Sequence, residues 1–395
     1  MELAGASDLC RQAHPDERFL PSLDFENRIA SKLNSQRNNQ EIRKMLHRII
    51  TAVLIGLLGF TSLWGPAQPA QAAGCTLTAI VWEGYTDSSF ADTFEKETGC
   101  TIKATYAGSS DEMFAKFRAG GGKNYDLVSA SGDITERLYK AGLVRPIDTS
   151  KLQNYSAVFE SFQDGKWNTF GGKPYGVTFA WGPNVLVYNT KQVKPAPKSW
   201  DILFDDRYSG KIALPDNPMT IADVALWLGK ANPYNLTDED LAEVKAKLLE
   251  LRPHIRKFWT TAGELANLFQ SGEIVMAHAW PLTYTQLSNE GYPIGSVSPQ
   301  GKLTGWTDSW MISKNSKNPE AAYQWIDFIL SGDGQKGVID VTGYSGATTL
   351  GAEAVGEEKA HELFMDDLSL HSQINMWQSV KNYDQWVQLW NEIRS

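Results

Sequence analysis

The sequence predicts an α/β protein of two lobes joined by extended strands. Three observations point there. Short apolar strands alternate with amphipathic helices along residues 75–395, a pattern that builds mainly parallel sheets. No Gly/Ser- or Pro-rich tether divides the chain, yet Gly176–Asn189 and Trp306–Ser313 are long and extended. Strands that cross between two lobes make a hinge with a cleft beneath it. The length, 395 residues, also exceeds one domain of about 150 residues.

The first 72 residues lie outside this fold. Ile49–Trp64 is the one long apolar run, 16 residues, against the roughly 20 that span a bilayer as a helix. Arg43, Lys44 and Arg48 precede it, Gly65-Pro66 breaks it, and Ala70-Gln71-Ala72 comes after. This reads as a secretory signal peptide cleaved after Ala72, with a membrane anchor as the alternative. Residues 1–44 are polar and without sustained periodicity. Met45 therefore reads as the true start, with residues 1–44 untranslated; a genuine cytoplasmic extension is the alternative.

Cleavage leaves 323 residues carrying 29 basic and 39 acidic side chains, a net charge of −10. That balance argues against nucleic acid as a partner, because phosphate binding needs a basic face. Fourteen Trp in the whole chain are more than packing usually requires.

Thr78–Trp82 reads as a buried strand. Phe90 and Phe94 lie one helical turn apart, with Gly99 as the C-terminal cap. Cys75 and Cys100 each open an apolar strand, one on either side of that helix. In a β-α-β unit the two strand starts share an edge, so a Cys75–Cys100 disulfide is open to the chain in an oxidising compartment. A second reading stays open: Ala73-Gly74-Cys75 resembles the end of a lipoprotein cleavage box, with Cys75 lipidated. Asp126–Ala130 reads as the next strand. Thr237-x-x-Asp240 starts a helix whose Leu241, Val244, Leu248 and Leu251 share a face, and Pro253 stops it. Asn318-Pro319-Glu320 starts another over Ala321–Leu330, with Asn318 as its cap and Gly332 closing it.

Signatures of catalysis are absent from the sequence. The six His, at 14, 47, 254, 278, 361 and 371, show no metal-ligand spacing. There is no nucleophile elbow, phosphate loop or dinucleotide fingerprint. Gly120-Gly121-Gly122 leads into a strand instead of a helix, so it reads as a helix terminator. His278, in the apolar run Ile274–Trp280, reads as a satisfied core histidine. No enzyme activity, cofactor or metal is expected.

An ordered set of short motifs carries a resemblance. It comprises Glu95-Lys-Glu-Thr-Gly99, Tyr125-Asp-Leu-Val128, Leu143-Val-Arg-Pro-Ile-Asp148, Trp181-Gly182 with Tyr188-Asn189, Ser199-Trp200, Tyr208-Ser-Gly-Lys-Ile212 and Gly272-Glu273. Together they resemble the bacterial periplasmic solute-binding proteins of ABC transporters, most closely the spermidine/putrescine-binding family. The resemblance implies a two-lobed type II periplasmic-binding-protein fold. Lobe 1 would span 73–178 plus 310–350, and lobe 2 179–309 plus 351–395. It further implies a monomeric periplasmic protein, without stable membrane insertion after cleavage, that delivers its ligand to an ABC permease.

Site residues carry over one by one. Trp-x-x-Tyr after the first strand gives Trp82 and Tyr85. The Ser ending the Asp-Leu-Val strand gives Ser131, and the Trp closing the Gly-Glu strand gives Trp280. Trp-x-Asp on the second crossover gives Trp306 and Asp308, the latter as principal ammonium anchor. Tyr after Thr-Gly gives Tyr344, and the late Trp-Gln gives Trp377 and Gln378. Indole and phenol faces attract ammonium groups, at about 0.5–2 kcal/mol per contact, and carboxylates fix them. The family's two further acids align with Asn217 and Thr220, while Asp216 lies one residue away. Glu83 and Asp133 are extra acids near cleft positions. The expected ligand is a polyamine-like cation. A diamine, a guanidino compound or an amino-acid-like zwitterion stays open, and ferric iron is disfavoured because Tyr344-Ser345 lacks a tyrosine pair.

Overall fold

A computed structural model describes residues 74–299 and 303–395; the leader and its proposed cleavage site lie outside the described residues. Fourteen strands are named in chain order: β1 (Thr76–Val81), β2 (Thr101–Tyr106), β3 (Leu127–Ser131), β4 (Thr169–Phe170), β5 (Lys173–Pro174), β6 (Val177–Pro183) and β7 (Val185–Asn189), then β8 (Ile212–Pro215), β9 (Ile255–Trp259), β10 (Met276–Ala279), β11 (Ile294–Val297), β12 (Thr304–Ile312), β13 (Ser345–Gly346) and β14 (Asn375–Met376). They form a first sheet in the order β13-β6-β12-β3-β1-β2, with β14 beside β12, and a second in the order β11-β7-β10-β8-β9; β4 and β5 make a small hairpin.

Both sheets are mixed, where mainly parallel ones were expected. β1 runs parallel to β2 and β3, but β12 is antiparallel to both β3 and β6. The second sheet repeats this, with β8 parallel to β9 and β10, and β7 antiparallel to β10 and β11. The cause is the crossover: β12 returns from the second sheet and therefore enters the first from the opposite end.

The stretch Gly176–Asn189 spans one crossover, from β6 into β7, while Trp306–Ser313 follows the other and runs along β12. β6 and β12 pair with each other, Gly305 opposite Pro183 through Trp310 opposite Val177, which keeps both wholly in the first sheet. The expected boundaries at 178/179 and 309/310 thus fall inside strands. The chain changes sheets at Asn184 and between Val297 and Thr304. The C-terminal segment is shared. β14 adds to the first sheet, while the Tyr383–Arg394 helix reaches the second-sheet side, where Arg394 pairs with Asp216 at 2.6 Å and Lys245 with Glu392 at 2.5 Å.

Local signals explain the helices. Asp87 caps Ser88–Thr98 by accepting from the Ser89 amide at 2.9 Å, and Gly99 ends it at φ 70°, where a side chain would be strained. Thr237 and Asp240 form a reciprocal capping box on Asp238–Leu251, whose apolar face is buried. Two expectations differ in detail. Asn318 does not cap Pro319–Leu330; its side-chain amide donates to the Thr76 carbonyl at 3.2 Å. Gly332 opens the next helix, Gly332–Thr342, because the Ser331 hydroxyl accepts from the Gly334 amide at 3.2 Å and caps it. A disulfide joins Cys75 to Cys100, whose Cα atoms are 4.5 Å apart; β1 and β2 start in register, Thr76 opposite Thr101.

Candidate functional site

The strands of the first sheet deliver their chemistry to one end. Trp82, Glu83 and Tyr85 come just after β1, Ser131 ends β3, and Trp306 and Asp308 lie on β12. The pairing of β3 with β12 sets Ser131 directly opposite Asp308. Trp280 and Leu282, at the turn from β10 into the Pro281–Asn289 helix, come from the second sheet. Tyr344 and Trp377 complete a ring of ten residues around one cavity.

The walls are aromatic and interlocked. Trp280 makes edge contacts with Trp82 at 5.7 Å and with Trp306 at 6.1 Å. Trp306 in turn meets Tyr344 at 5.0 Å and Trp377 at 6.2 Å. The cavity is about 20 Å³, room for about one water. Any larger occupant therefore requires the walls to part.

Two carboxylates border this cavity, and they differ. Glu83 reaches across to the other sheet, where its Oε2 accepts from the amides of Ala262 (2.9 Å) and Gly263 (3.4 Å). Those amides open the Ala262–Gln270 helix, whose N-terminal dipole favours an anion. Asp308 is 2% exposed. Its Oδ2 accepts a short hydrogen bond from the Tyr85 hydroxyl, and its Oδ1 accepts none from any described residue. Burial pushes its carboxyl up to about 7; the Ser131 and Tyr85 hydroxyls pull it back, and the charge of Asp133 adds to the rise. Burial also raises Tyr85 and Tyr344 well above the ordinary phenol range, with the Asp308 charge adding to it.

Eight of the twelve expected ligand residues line this cavity: Trp82, Glu83, Tyr85, Ser131, Trp280, Trp306, Asp308 and Tyr344. Trp377 joins them, and Leu282 is a wall that the sequence did not announce. Asp133, Asn217, Thr220 and Gln378 do not line it. Gln378 is exposed. Asn217 folds back, its Oδ1 accepting from the Met219 amide at 3.0 Å. Asp216 points away, bonded to the Trp390 indole at 2.9 Å and to Arg394.

Asp223 is the acid that sequence reasoning missed. It lies one turn past Thr220, on the Thr220–Trp227 helix. Its Oδ1 accepts from the Asn184 amide at 3.1 Å and from the Thr304 hydroxyl. Asn184 and Thr304 mark the two crossovers, so one carboxylate ties both. Burial pushes Asp223 up to about 7. Its neighbour His278 is buried against Trp200 at 5.0 Å, and burial drives it down to about 3. Neither ring nitrogen of His278 has a hydrogen-bond partner among the described residues, and Asp223 Oδ1 stands 3.7 Å away. It is a core histidine, though not a satisfied one.

Comparison with known proteins agrees with this architecture. The model of the bacterial extracellular solute-binding protein family matches residues 89–365. The spermidine/putrescine-binding periplasmic protein of Escherichia coli is 27% identical over 291 residues, 73% of this chain and 82% of that one. A putrescine/cadaverine-binding protein of Pseudomonas aeruginosa is 26% identical over 315 residues, 76% of this chain and 85% of that one. Among solved structures, the spermidine/putrescine ABC transporter substrate-binding protein PotD of Streptococcus pneumoniae superposes with a TM-score of 0.66 at 22% identity, over 81% of this chain and all of that one. These relatives are substrate-binding proteins, not enzymes. The family match covers well over half of the sequence, and the chain belongs to the bacterial extracellular solute-binding proteins.

Proposed function

We propose that this protein captures a small polyamine-like cation between its two lobes and delivers it to the permease of an ABC importer. The observation that carries the reading is Asp308: a carboxylate buried behind four indoles and two phenols, with one oxygen free of any described hydrogen-bond donor. A buried carboxylate in that state costs several kcal/mol unless a proton or a cation meets it. An ammonium group supplies the cation, and the aromatic walls suit both the ammonium and the methylenes behind it. The polyamine-binding relatives support the same class.

In this reading the first sheet carries lobe 1 and the second carries lobe 2, with hinges at Asn184 and before Thr304. Ligand entry separates Trp280 from Trp82 and Trp306, and closure restores the contacts around the ligand. The protein is exported by its leader and works as a periplasmic monomer, with Cys75 and Cys100 oxidised.

Calorimetry with putrescine, spermidine, spermine and agmatine tests the proposal. Binding of at least one, with heat and a raised melting temperature, is expected. No heat and no thermal shift with any of the four at millimolar concentration overturns it.

A further inference from the structure

One buried cluster outside the cavity is only half bonded. Asp223, Asn184, His278 and Thr304 are each 2% exposed or less. Asp223 Oδ1 accepts from the Asn184 side-chain amide and from the Thr304 hydroxyl, and the same amide donates to Thr304 Oγ1 at 2.7 Å. Yet four atoms of the cluster, Asp223 Oδ2, Asn184 Oδ1 and both ring nitrogens of His278, have no hydrogen-bond partner among the described residues. Unsatisfied buried polar atoms are rare enough to need a reason.

Two partners compete for one oxygen. His278 Nε2 stands 3.7 Å from Asp223 Oδ1, just beyond hydrogen-bond reach. Burial keeps His278 neutral, and a neutral imidazole still carries one N–H to donate. A swing of the carboxylate by under about 1 Å brings that N–H into range. The oxygen that must move is the one that Asn184 and Thr304 already hold. The other titratable group that the Asp223 charge reaches is Tyr234, whose hydroxyl donates to the Asn375 carbonyl at 2.5 Å.

The competing partners belong to opposite sides of the hinge. The Thr220–Trp227 helix, which carries Asp223, follows β8, and His278 lies on β10, which pairs with β8. Thr304 opens β12 of the first sheet, and Asn184 joins β6 to β7. The Asn184 backbone amide donates to the Thr304 carbonyl at 2.9 Å, so the crossovers are fastened together where Asp223 holds them. In this conformation the two sides touch: Glu83 accepts from the Ala262 amide at 2.9 Å, and Trp82 meets Trp280 at 5.7 Å.

We infer that Asp223 is a positioning residue with two alternative partners: it holds Thr304 and Asn184 when the lobes are closed and turns to His278 when they part. Opening draws Thr304 away from the helix, while His278 stays beside it. Each state keeps a charge-assisted hydrogen bond on the carboxylate, and the balance between them sets how much of the ligand-free protein is closed. Asp223 does not line the cavity; it acts on affinity through the hinge. This rests on the lobe closure proposed above and not on the chemistry of the ligand.

Calorimetry with putrescine and spermidine, and small-angle scattering without ligand, test it on the unmodified protein, Thr304→Val, Thr304→Ser and His278→Leu. Thr304→Val removes the hydroxyl that favours closure. Both affinities then fall by the same factor, about tenfold, and the ligand-free radius of gyration rises. Thr304→Ser keeps the hydroxyl and the unmodified values. His278→Leu removes the partner of the open form, so both affinities rise, by about threefold or more, and the radius falls. A merely structural role moves the melting temperature without these opposite shifts. Shifts in the same direction for Thr304→Val and His278→Leu overturn the switch, as does a His278→Leu protein with affinity and radius unchanged, or a Thr304→Ser protein that behaves as Thr304→Val. No heat from either amine with any of the four proteins overturns the cation reading alone. Opposite shifts in the ligand-free radius then still support the switch, and their absence overturns it as well.

Discussion

Strand β3 has an aspartate just before its start and another just past its end, and the fold treats them in opposite ways. At the start, the side chain of Asp126 accepts from the Thr78 amide and hydroxyl, both at 3.0 Å, from the Ser316 hydroxyl at 2.7 Å and from the Lys317 amide at 3.2 Å. Burial alone would raise its carboxyl, yet these donors outweigh it and hold it below the ordinary range. At the far end, Asp133 has no side-chain partner among the described residues and Asp308 has the Tyr85 hydroxyl on one oxygen only, and burial wins at both. Five residues of strand separate a carboxylate that ties the sheet together from carboxylates that the sheet leaves wanting. Satisfied buried acids hold structure; unsatisfied ones are held ready for something else.

The largest expected effect is at the unsatisfied end. Asp308→Asn removes the one charge on the cavity lining that no described donor fully satisfies. Amine affinity should fall about 100-fold or more, the usual cost of truncating one partner of a buried charge pair. The ligand-free protein should melt no lower, since the Tyr85 hydroxyl can still donate to the amide oxygen. Calorimetry and thermal melting read the two effects. A destabilised protein with unchanged affinity reverses the assignment of the two ends.

Asp126→Ala should do the converse. It strands the Thr78, Lys317 and Asn318 amides and costs about 2–4 kcal/mol of stability, from unsatisfied donors at about 1–3 kcal/mol each with partial rescue by water. Amine affinity should stay within about twofold once the protein is folded, a change of less than about 0.5 kcal/mol. Urea unfolding measures the first number. A shift in affinity comparable to that of Asp308→Asn would mean the two ends are not independent.

The comparison also has a pH signature. Asp126 has a lowered pKa, so its contribution is present above the unfolded carboxylate range, near 4, and is lost as pH falls through its folded value. Asp133, Asp223 and Asp308 are raised to about 7. The folded ligand-free state then binds more protons than the unfolded chain between about pH 4 and 7, so those groups lower stability as pH rises through that window. A cation needs the ionised form, so amine affinity should rise with pH, about tenfold per unit below 7 for each proton released. Calorimetry from pH 5 to 8 in buffers of different ionisation enthalpy measures both slope and protons. A flat profile means that the acids are already ionised before the ligand arrives.

A feature is legible in the sequence when its cause is local. Thr237 and Asp240 are three residues apart, so their capping box is legible from spacing. The Trp-x-Asp of Trp306 and Asp308 is legible because both lie on one strand face, and a buried acid between indoles needs a reason. Asp223 was not legible. Its partners Asn184 and Thr304 are 39 and 81 residues away, and only the fold brings them together. Asp126 was read as part of a family signature, whereas its distant donors Ser316 and Lys317 explain why an acid is needed there. The sheet changeover was misplaced for a related reason. In sequence β6 runs on into β7, and β12 shows no break within it; only their mutual pairing marks where each sheet ends.

Glu83 gives the smallest effect. Proximity in sequence to Trp82 and Tyr85 marks it as a third cleft acid, but its carboxylate is already occupied by the Ala262 and Gly263 amides of the other lobe. In the proposed reading it acts on closure and not on the ligand. Glu83→Gln keeps an oxygen that can accept from those amides and loses only the charge facing the helix start, an effect of about 0.3–1 kcal/mol. Affinity should fall about two- to fivefold, for diamine and monoamine alike, because the closed form is disfavoured whatever it encloses. Small-angle scattering of the ligand-free protein should show a larger radius of gyration than the unmodified chain, and saturating diamine should remove the difference. A loss as large as that of Asp308→Asn, or one confined to the diamine, places Glu83 on the ligand instead.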